Sequence, residues 1–408
     1  MNHLSPTQDA FYSRRQAVAM LSAAGIGSTV LQRALAVQAA EGPVTREMIV
    51  SAEWVSGVTL TDAQRETALN VLKWSREGTD QVRKVELNNA QLPGLNFTPF
   101  ASSAASPDPR GYDAPGRQEP VDATVRPDSD EELAFSSVRQ LGNLLRSRQV
   151  SSVELTELYL NRLRRYDPLL KCVVTFMDVL AMQQARKADD ELHRNFDRGP
   201  LHGIPWGLKD IFAWPGYPTS WGVGQYRDRV INVKSAVAER LESAGAVLIA
   251  KLATNTLAGG STIWWRGKTR NPWNPRQDAG GSSSGSAAAA AAGLVGFSIG
   301  TETSASIIGP SRRCGAVGLR STYGRISRFG CMQLCWSLDT IGPICGYVDD
   351  CGLVLEAIHG SDPRDRAAVD RPFVWPSSRD LTSIRVGYDP RRGDLDTSVH
   401  LRGLRELG

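Results

Sequence analysis

The chain of 408 residues is poor in histidine: His3, His193, His202, His359 and His400 are all it has, and no two lie at metal-ligand spacing. Catalysis built on imidazole or on zinc therefore starts without its usual residues. No run approaches the 18 or so apolar residues of a membrane span, which excludes an integral membrane protein. Cys172, Cys314, Cys331, Cys335, Cys345 and Cys351 include no Cys-x-x-Cys pair, so redox and zinc-ribbon readings fall away. Unpaired thiols are the expectation, although export would permit disulfides.

Strong charge is missing too. The formal net charge is +4, of which +2 comes from Arg14, Arg15 and Arg33 set against Asp9. The remainder is too weak to attract nucleic acid, and no basic run carries interleaved aromatics. With 41% hydrophobic and 22% charged residues the composition is globular, which excludes a disordered chain.

Residues 1–39 read as an export signal. Ser13-Arg14-Arg15-Gln16 precedes an apolar stretch from Ala17 to Leu31, and Ala34-Leu35-Ala36 and Val37-Gln38-Ala39 are small-x-small cleavage sites. Paired arginines point to the twin-arginine route, while Ala17, where a bulkier apolar residue is usual, leaves the general secretory route open. The expected location is periplasmic or extracytoplasmic. Residues 40–91 form a helical segment with a capping box at Thr61-x-x-Gln64. Residues 92–130, carrying seven prolines from Pro93 to Pro127, read as a linker or arm.

Helices resume over 137–148 and 151–165, the second with Leu155, Leu158, Tyr159 and Leu163 on one face. Beyond Val173, apolar runs at 173–176, 207–208 and 247–250 read as buried strands, alternating with helices over 180–194 and 235–244. That alternation predicts an α/β domain with a largely buried sheet.

Glycine gathers in one stretch, residues 280–311, GGSSSGSAAAAAAGLVGFSIGTETSASIIGPS. A Gly/Ser loop runs into the helical Ala287–Ala292, then a strand at Val295–Ile299 and a second polar loop at Gly300–Ser306. Small residues let backbone N–H groups converge on an anion or a developing oxyanion. The Gly-Lys-Ser/Thr of a phosphate loop is absent at Gly285-Ser286-Ala287. The Gly-x-Ser-x-Gly elbow is absent as well, since Ser282 and Ser284 flank Ser283. A serine nucleophile would then need a base other than histidine. Lys209, inside LHGIPWGLKDIF, is the candidate, because a lysine in a buried strand is costly unless paired or functional. On this run alone a surface lysine at a strand end remains an alternative.

These stretches resemble the amidase signature family. LHGIPWGLKDIF, the Gly/Ser block at 280–286, GTETSASI at 300–307 and CGAVGLRSTYGRISRFG at 314–330 occur in the family's order. Asn271-Pro-Trp-Asn-Pro275 and Ser337-Leu-Asp-Thr-Ile-Gly-Pro343 fit as well. The likeness spans roughly residues 136–380. It implies a central mixed β-sheet covered by helices on both faces, three-layer α/β/α, over residues 131–408. It also implies a Ser–cisSer–Lys triad, needing no cofactor and no metal, that hydrolyses the C–N bond of a small-molecule amide. By motif position Ser306 is the nucleophile, Ser282 the bridging serine after a cis peptide bond, and Lys209 the base. Thr303, Ser304 and Ala305 supply the oxyanion N–H groups, and Ser283 supports the network.

Three departures stand out. Ser304 and Ala305 replace two glycines of the oxyanion loop, Ile308 stands where many members carry arginine, and Ser284 replaces a glycine. A side chain where φ is positive would add strain. Trp264, Trp265, Trp273 and Trp221 have two readings, walls of a pocket for an apolar acyl group or core. Asp210 reads as a structural hydrogen-bond partner. The glutamine-hydrolysing component of a tRNA-dependent amidotransferase shares the triad, and a binding protein without catalysis is a further alternative. Members of the family continue well beyond the strand expected at Ile384–Tyr388 and the helix begun at Ser398–Leu407, so the chain reads as a member cut short.

Overall fold

A computed structural model describes residues 43–85, 125–259, 261–373 and 375. The expected export signal, most of the Pro-rich segment, and the elements expected at 384–388 and 398–407 lie outside the described residues. The chain divides into two compact units, residues 1–92 and 93–408.

In the first unit two helices follow one another, α1 (Arg46–Ser56) and α2 (Asp62–Arg83). Gly57 ends α1 in the left-handed region at φ 67°, where glycine carries no Cβ penalty. The capping box at the start of α2 is formed: the Gln64 N–H donates to Thr61 Oγ1 at 3.3 Å and the Thr61 N–H to Gln64 Oε1 at 2.8 Å. Arg65 ties α2 back to α1 through Glu53 at 3.0 Å.

The second unit opens with α3 (Asp130–Ala134), α4 (Val138–Arg146) and α5 (Ser152–Leu170). Ser137 and Ser151 cap α4 and α5, each in a complete capping box. Leu155, Tyr159 and Leu163 of α5 are fully buried, as their helical spacing requires, and Leu158 packs partly buried beside them. The remaining elements are β1 (Val173–Phe176), α6 (Asp178–His193), β2 (Pro205–Lys209), α7 (Ala236–Ser243), β3 (Val247–Leu252), α8 (Ser284–Ala291), β4 (Phe297–Glu302), α9 (Ile308–Cys314), β5 (Val317–Gly318), β6 (Thr340–Cys345) and α10 (Val348–Ile358).

The strands form one mixed sheet in the order β1-β3-β2-β4-β6-β5, covered by helices on both faces. β3, β2 and β4 run parallel, while β1, β6 and β5 pair antiparallel. Side chains alternate between the faces. Trp206 and Phe297, partners in register on β2 and β4, stack at 5.9 Å on one face. On the opposite face Gly207 and Ser298 are partners, and Ser298 Oγ donates to the Ser286 carbonyl of α8 at 3.0 Å. α8 lies close enough that a Cβ on Gly285 would stand 2.3 Å from the Ala253 nitrogen. The Gly/Ser/Ala composition of this helix is therefore a packing requirement as well as a signature.

The apolar runs of the sequence locate β1 to β4 and the helices between them, with shifts at the ends. β4 starts at Phe297 and runs through Gly300–Glu302, where the sequence pattern points to loop, because these residues pair with Thr340–Gly342 of β6. β5, β6, α9 and α10 have no counterpart among the expected elements.

Candidate active site

Three parallel strands finish side by side: β2 at Lys209, β3 at Leu252 and β4 at Glu302. Carboxyl ends of parallel strands are where open α/β sheets collect their ligands, since the loops that follow diverge and leave a crevice. The residues after these ends are Asp210, Ala253–Asn255 and Thr303–Ser306. The Gly/Ser loop ahead of α8 joins them when the Asn255 N–H donates to the Ser282 carbonyl at 3.0 Å. The Gly281–Ser282 peptide bond is cis, as the resemblance implies. At Gly281 a Cβ would fall 1.8 Å from Asn255 Nδ2, so any side chain there would have to displace the Asn255 amide.

Lys209 is fully buried, and its Nζ donates to Ser282 Oγ at 2.8 Å and to Thr301 Oγ1 at 2.7 Å. Neither partner carries charge. Burial therefore pushes the ammonium down to about 7 from an ordinary 10.5, against the weaker opposing influence of Cys331, Asp339 and Glu302. Lys251, one strand away, is buried as deeply but donates to Asp210 Oδ1 at 2.8 Å and to Thr219 Oγ1 at 3.0 Å. Asp210 is thus occupied, and its other oxygen takes the Ser220 N–H at 2.9 Å and the Ser220 hydroxyl at 2.5 Å. Its structural reading holds geometrically.

Ser283 reaches the same point by a different route. Its Oγ donates to the Thr301 carbonyl at 3.2 Å and accepts from the Thr301 N–H at 3.3 Å, and its own N–H donates to the Ser306 carbonyl at 3.1 Å. The Gly/Ser loop and the Ser306 loop are joined through this backbone bond. Among the described residues no hydrogen bond reaches the Ser306 hydroxyl, so the Lys209–Ser282 link is formed and a Ser282–Ser306 link is not. The N–H groups of Thr303, Ser304 and Ala305 likewise donate to no described residue. Ser304 and Ala305 are exposed, Thr303 and Ser306 partly so.

Of the two residues standing in for glycine, Ala305 has φ 118° and Ser304 lies outside the positive region. A side chain at such a φ costs on the order of 1–3 kcal/mol. The substitution at Ser284 is accommodated, because its hydroxyl donates to Thr269 Oγ1 at 3.2 Å. Ile308 is half exposed at the start of α9.

Two carboxylates that sequence reasoning passes over shape the loop. Glu302, buried, takes the N–H groups of Ile307 and Ile308 on one oxygen, both at 2.8 Å, and Arg320 on the other at 3.0 Å. Asp339 accepts from the Thr303 hydroxyl at 2.5 Å and from the Leu334 and Cys335 N–H groups at 2.6 and 3.0 Å. Both lie inside quoted motifs, GTETSASI and SLDTIGP, where position marks them and chemistry does not. Lys251 carries a plainer signal, a lysine within the apolar run VLIAKLA.

The tryptophans divide. Trp264 is buried at 1% exposure and packs edge-on against Trp265 at 5.2 Å. Trp265 is partly exposed and lines a surface depression with Gly224, Gln225, Arg227 and Asp228. Trp221 lies under the Arg229 guanidinium at 3.7 Å, and Trp273 is exposed with its Nε1–H on the Cys314 carbonyl at 2.7 Å. All six thiols are free. Among the described residues no helix is long and apolar enough to cross a membrane.

A family model described as Amidase matches residues 154–404. The A subunit of the glutamyl-tRNA(Gln) amidotransferase from Methylococcus capsulatus is 42% identical over 256 residues, covering 62% of this chain and 53% of that protein. The native peptide amidase from Stenotrophomonas maltophilia superposes with a TM-score of 0.56 at 36% identity, covering 60% of this chain and 52% of that one. An amidase family protein from Bacillus anthracis gives a TM-score of 0.56 at 32% identity, over 58% and 49% of the two chains. The chain spans about half the length of the relatives it matches. The family model lies across the segment that holds Lys209, Ser282 and Ser306, and by it the chain belongs to the amidase family.

Proposed function

We propose that this chain hydrolyses the C–N bond of a small-molecule carboxamide through a seryl acyl-enzyme. The observation that carries the reading is the buried Lys209 ammonium, hydrogen-bonded to the Ser282 hydroxyl and held near neutrality by burial without a carboxylate partner. A neutral lysine can accept a proton from Ser282 as Ser282 accepts one from Ser306, which arms Ser306 without imidazole. Ser306 attacks the amide carbonyl carbon. The carbonyl oxygen becomes the oxyanion, received by the N–H groups of Thr303, Ser304 and Ala305, whose lack of protein acceptors leaves them available. The relay then returns the proton to the leaving nitrogen. Water, deprotonated through the same lysine, attacks the acyl-enzyme and releases the carboxylate.

A fluorophosphonate probe tests this. Labelling of the wild-type chain, its loss in Ser306→Ala and a weak remainder in Lys209→Ala are the expected results. Persistence of full labelling in Ser306→Ala would remove Ser306 from the role of nucleophile.

A second reading, the glutamine-hydrolysing component of a tRNA-dependent amidotransferase, draws on one observation, the 42% identity to a relative of that name. The weak net charge and the Arg14-Arg15 signal pattern favour a free-standing exported amidase. Co-purification with the other components of such a complex would reverse that preference. A binding protein without catalysis is the reading that absent labelling would support.

A further inference from the structure

Thr303 is held at two points, and the pair fixes more than the residue itself. Its hydroxyl donates to Asp339 Oδ1 at 2.5 Å, and its carbonyl accepts from the Arg320 guanidinium at 3.4 Å. Asp339 is itself anchored, since its other oxygen takes the Leu334 and Cys335 N–H groups. Arg320 is anchored by its ion pair with the buried Glu302, at 3.0 Å. A trans peptide is planar, and its C=O and N–H point in opposite directions. A Thr303 carbonyl turned toward Arg320 therefore turns the Ser304 N–H away from Arg320, toward the open side of the loop. The same logic applies three peptide bonds later: the Ser306 carbonyl is taken by the Ser283 N–H, and the Ile307 N–H is turned onto Glu302.

We propose that Thr303 acts through its side chain as a positioning residue, and that the Asp339–Thr303–Arg320 clamp sets the direction in which the Ser304 N–H meets a developing oxyanion. The proposal rests on the reading of Ser306 as the nucleophile. It gives the Thr303 hydroxyl a role separate from the backbone N–H of the same residue. Ser304 and Ala305 are exposed and their own N–H groups have no described protein partner to orient them, so the hold on Thr303 is what sets the Ser304 peptide. An N–H that must already point at the site of charge development loses its effect when the peptide can rotate.

The test uses the fluorophosphonate alone, whose P=O oxygen occupies the place of the oxyanion. Thr303→Val keeps the shape and removes the tether, and Thr303→Ser restores the hydroxyl. The expected result is a maximal labelling rate lowered about 10- to 100-fold in Thr303→Val, with the half-saturating probe concentration nearly unchanged. Thr303→Ser should stay within about threefold of wild type. Rates are taken per site labelled at completion, so a misfolded fraction does not enter. A Thr303→Val rate equal to wild type would overturn the clamp and leave the nucleophile reading intact. A loss in Thr303→Ser as large as in Thr303→Val would overturn it too, because packing and not the hydroxyl would then be responsible. Full labelling of Ser306→Ala, or none of the wild type, would remove both readings together.

Discussion

Lys209 and Lys251 lie fully buried on adjacent parallel strands, and only Lys251 reaches a carboxylate. Register explains the difference. Leu208 of β2 is the partner of Lys251 on β3, so Lys251 shares the face of Leu208 and Lys209 takes the other. On its face Lys251 meets Asp210, Thr219 and the Pro218 carbonyl, a set that satisfies a charged ammonium. Lys209 meets two hydroxyls, Ser282 and Thr301, which solvate the neutral amine nearly as well as the cation. One lysine is ion-paired, and the other, without a carboxylate partner, is pushed toward neutrality by burial.

That contrast sets the pH dependence of acylation. The proposed relay needs Lys209 neutral, and burial holds its midpoint at about 7. The labelling rate should be flat above neutrality and fall about tenfold per pH unit below it. Rates measured from pH 5 to 9 check this, and a profile that stays flat down to pH 5 would show that no group titrating near 7 controls the step.

The same burial links folding stability to pH. The unfolded lysine keeps its proton up to about 10.5, whereas the folded one releases it near 7. Between these values the unfolded state binds more protons, so stability rises with pH across that window; below it both states are protonated and the slope vanishes. Lys209→Met removes the titrating group. It should cut labelling to a weak remainder, raise stability at pH 7, and flatten the profile between pH 7 and 10. Urea unfolding at several pH values measures all but the labelling.

Asp210 offers the opposite expectation. Asp210→Ala leaves Lys251 buried with only a carbonyl and a hydroxyl as partners. Loss of one member of a buried pair costs about 3–5 kcal/mol. Denaturant midpoints of Asp210→Ala should fall accordingly, and those of the double variant Asp210→Ala with Lys251→Met should recover much of the loss. A single variant as stable as wild type would mean that the pair contributes little to the fold.

Much of this arrangement is legible in the residues, for reasons that differ from element to element. β1 to β3 are readable because each is a short apolar run closed by polar residues, and α5 because its capping box and its apolar face coincide. Lys209 is readable because a charge inside LHGIPWGLKDIF conflicts with burial, and Ser282 and Ser306 because several motifs occur in one order. β6 is hidden: TIGPIC holds a glycine and a proline, and its strand character comes from pairing with β4, a partner far away in sequence. Glu302 and Asp339 are hidden for a related reason. A carboxylate that accepts backbone N–H groups from a loop leaves no pattern in its own neighbourhood. Trp264 has two open readings in the sequence because aromatic composition serves core and pocket alike.

The loop proposed to receive the oxyanion supplies the sharpest test of how well this chain suits its family's chemistry. Ala305 sits at φ 118°, where a Cβ is disfavoured, and it precedes Ser306, the proposed nucleophile. Glycine would relieve the strain but would add conformational freedom to the unfolded chain, an opposing effect of about 0.5–1 kcal/mol. The strain at such an angle, on the order of 1–3 kcal/mol, is the larger of the two. Ala305→Gly should therefore be neutral to about 2 kcal/mol more stable in urea unfolding. No neighbour is lost with the methyl group that would oppose this, since Ala305 is exposed. The labelling rate should be at least that of wild type, because the loop is held by Asp339 and Arg320 at Thr303 and by Ser283 and Glu302 from Ser306 on, and not by the Ala305 side chain. A destabilised Ala305→Gly would mean that alanine adopts this angle without strain, and the departure from glycine would then be a fitted feature of the loop.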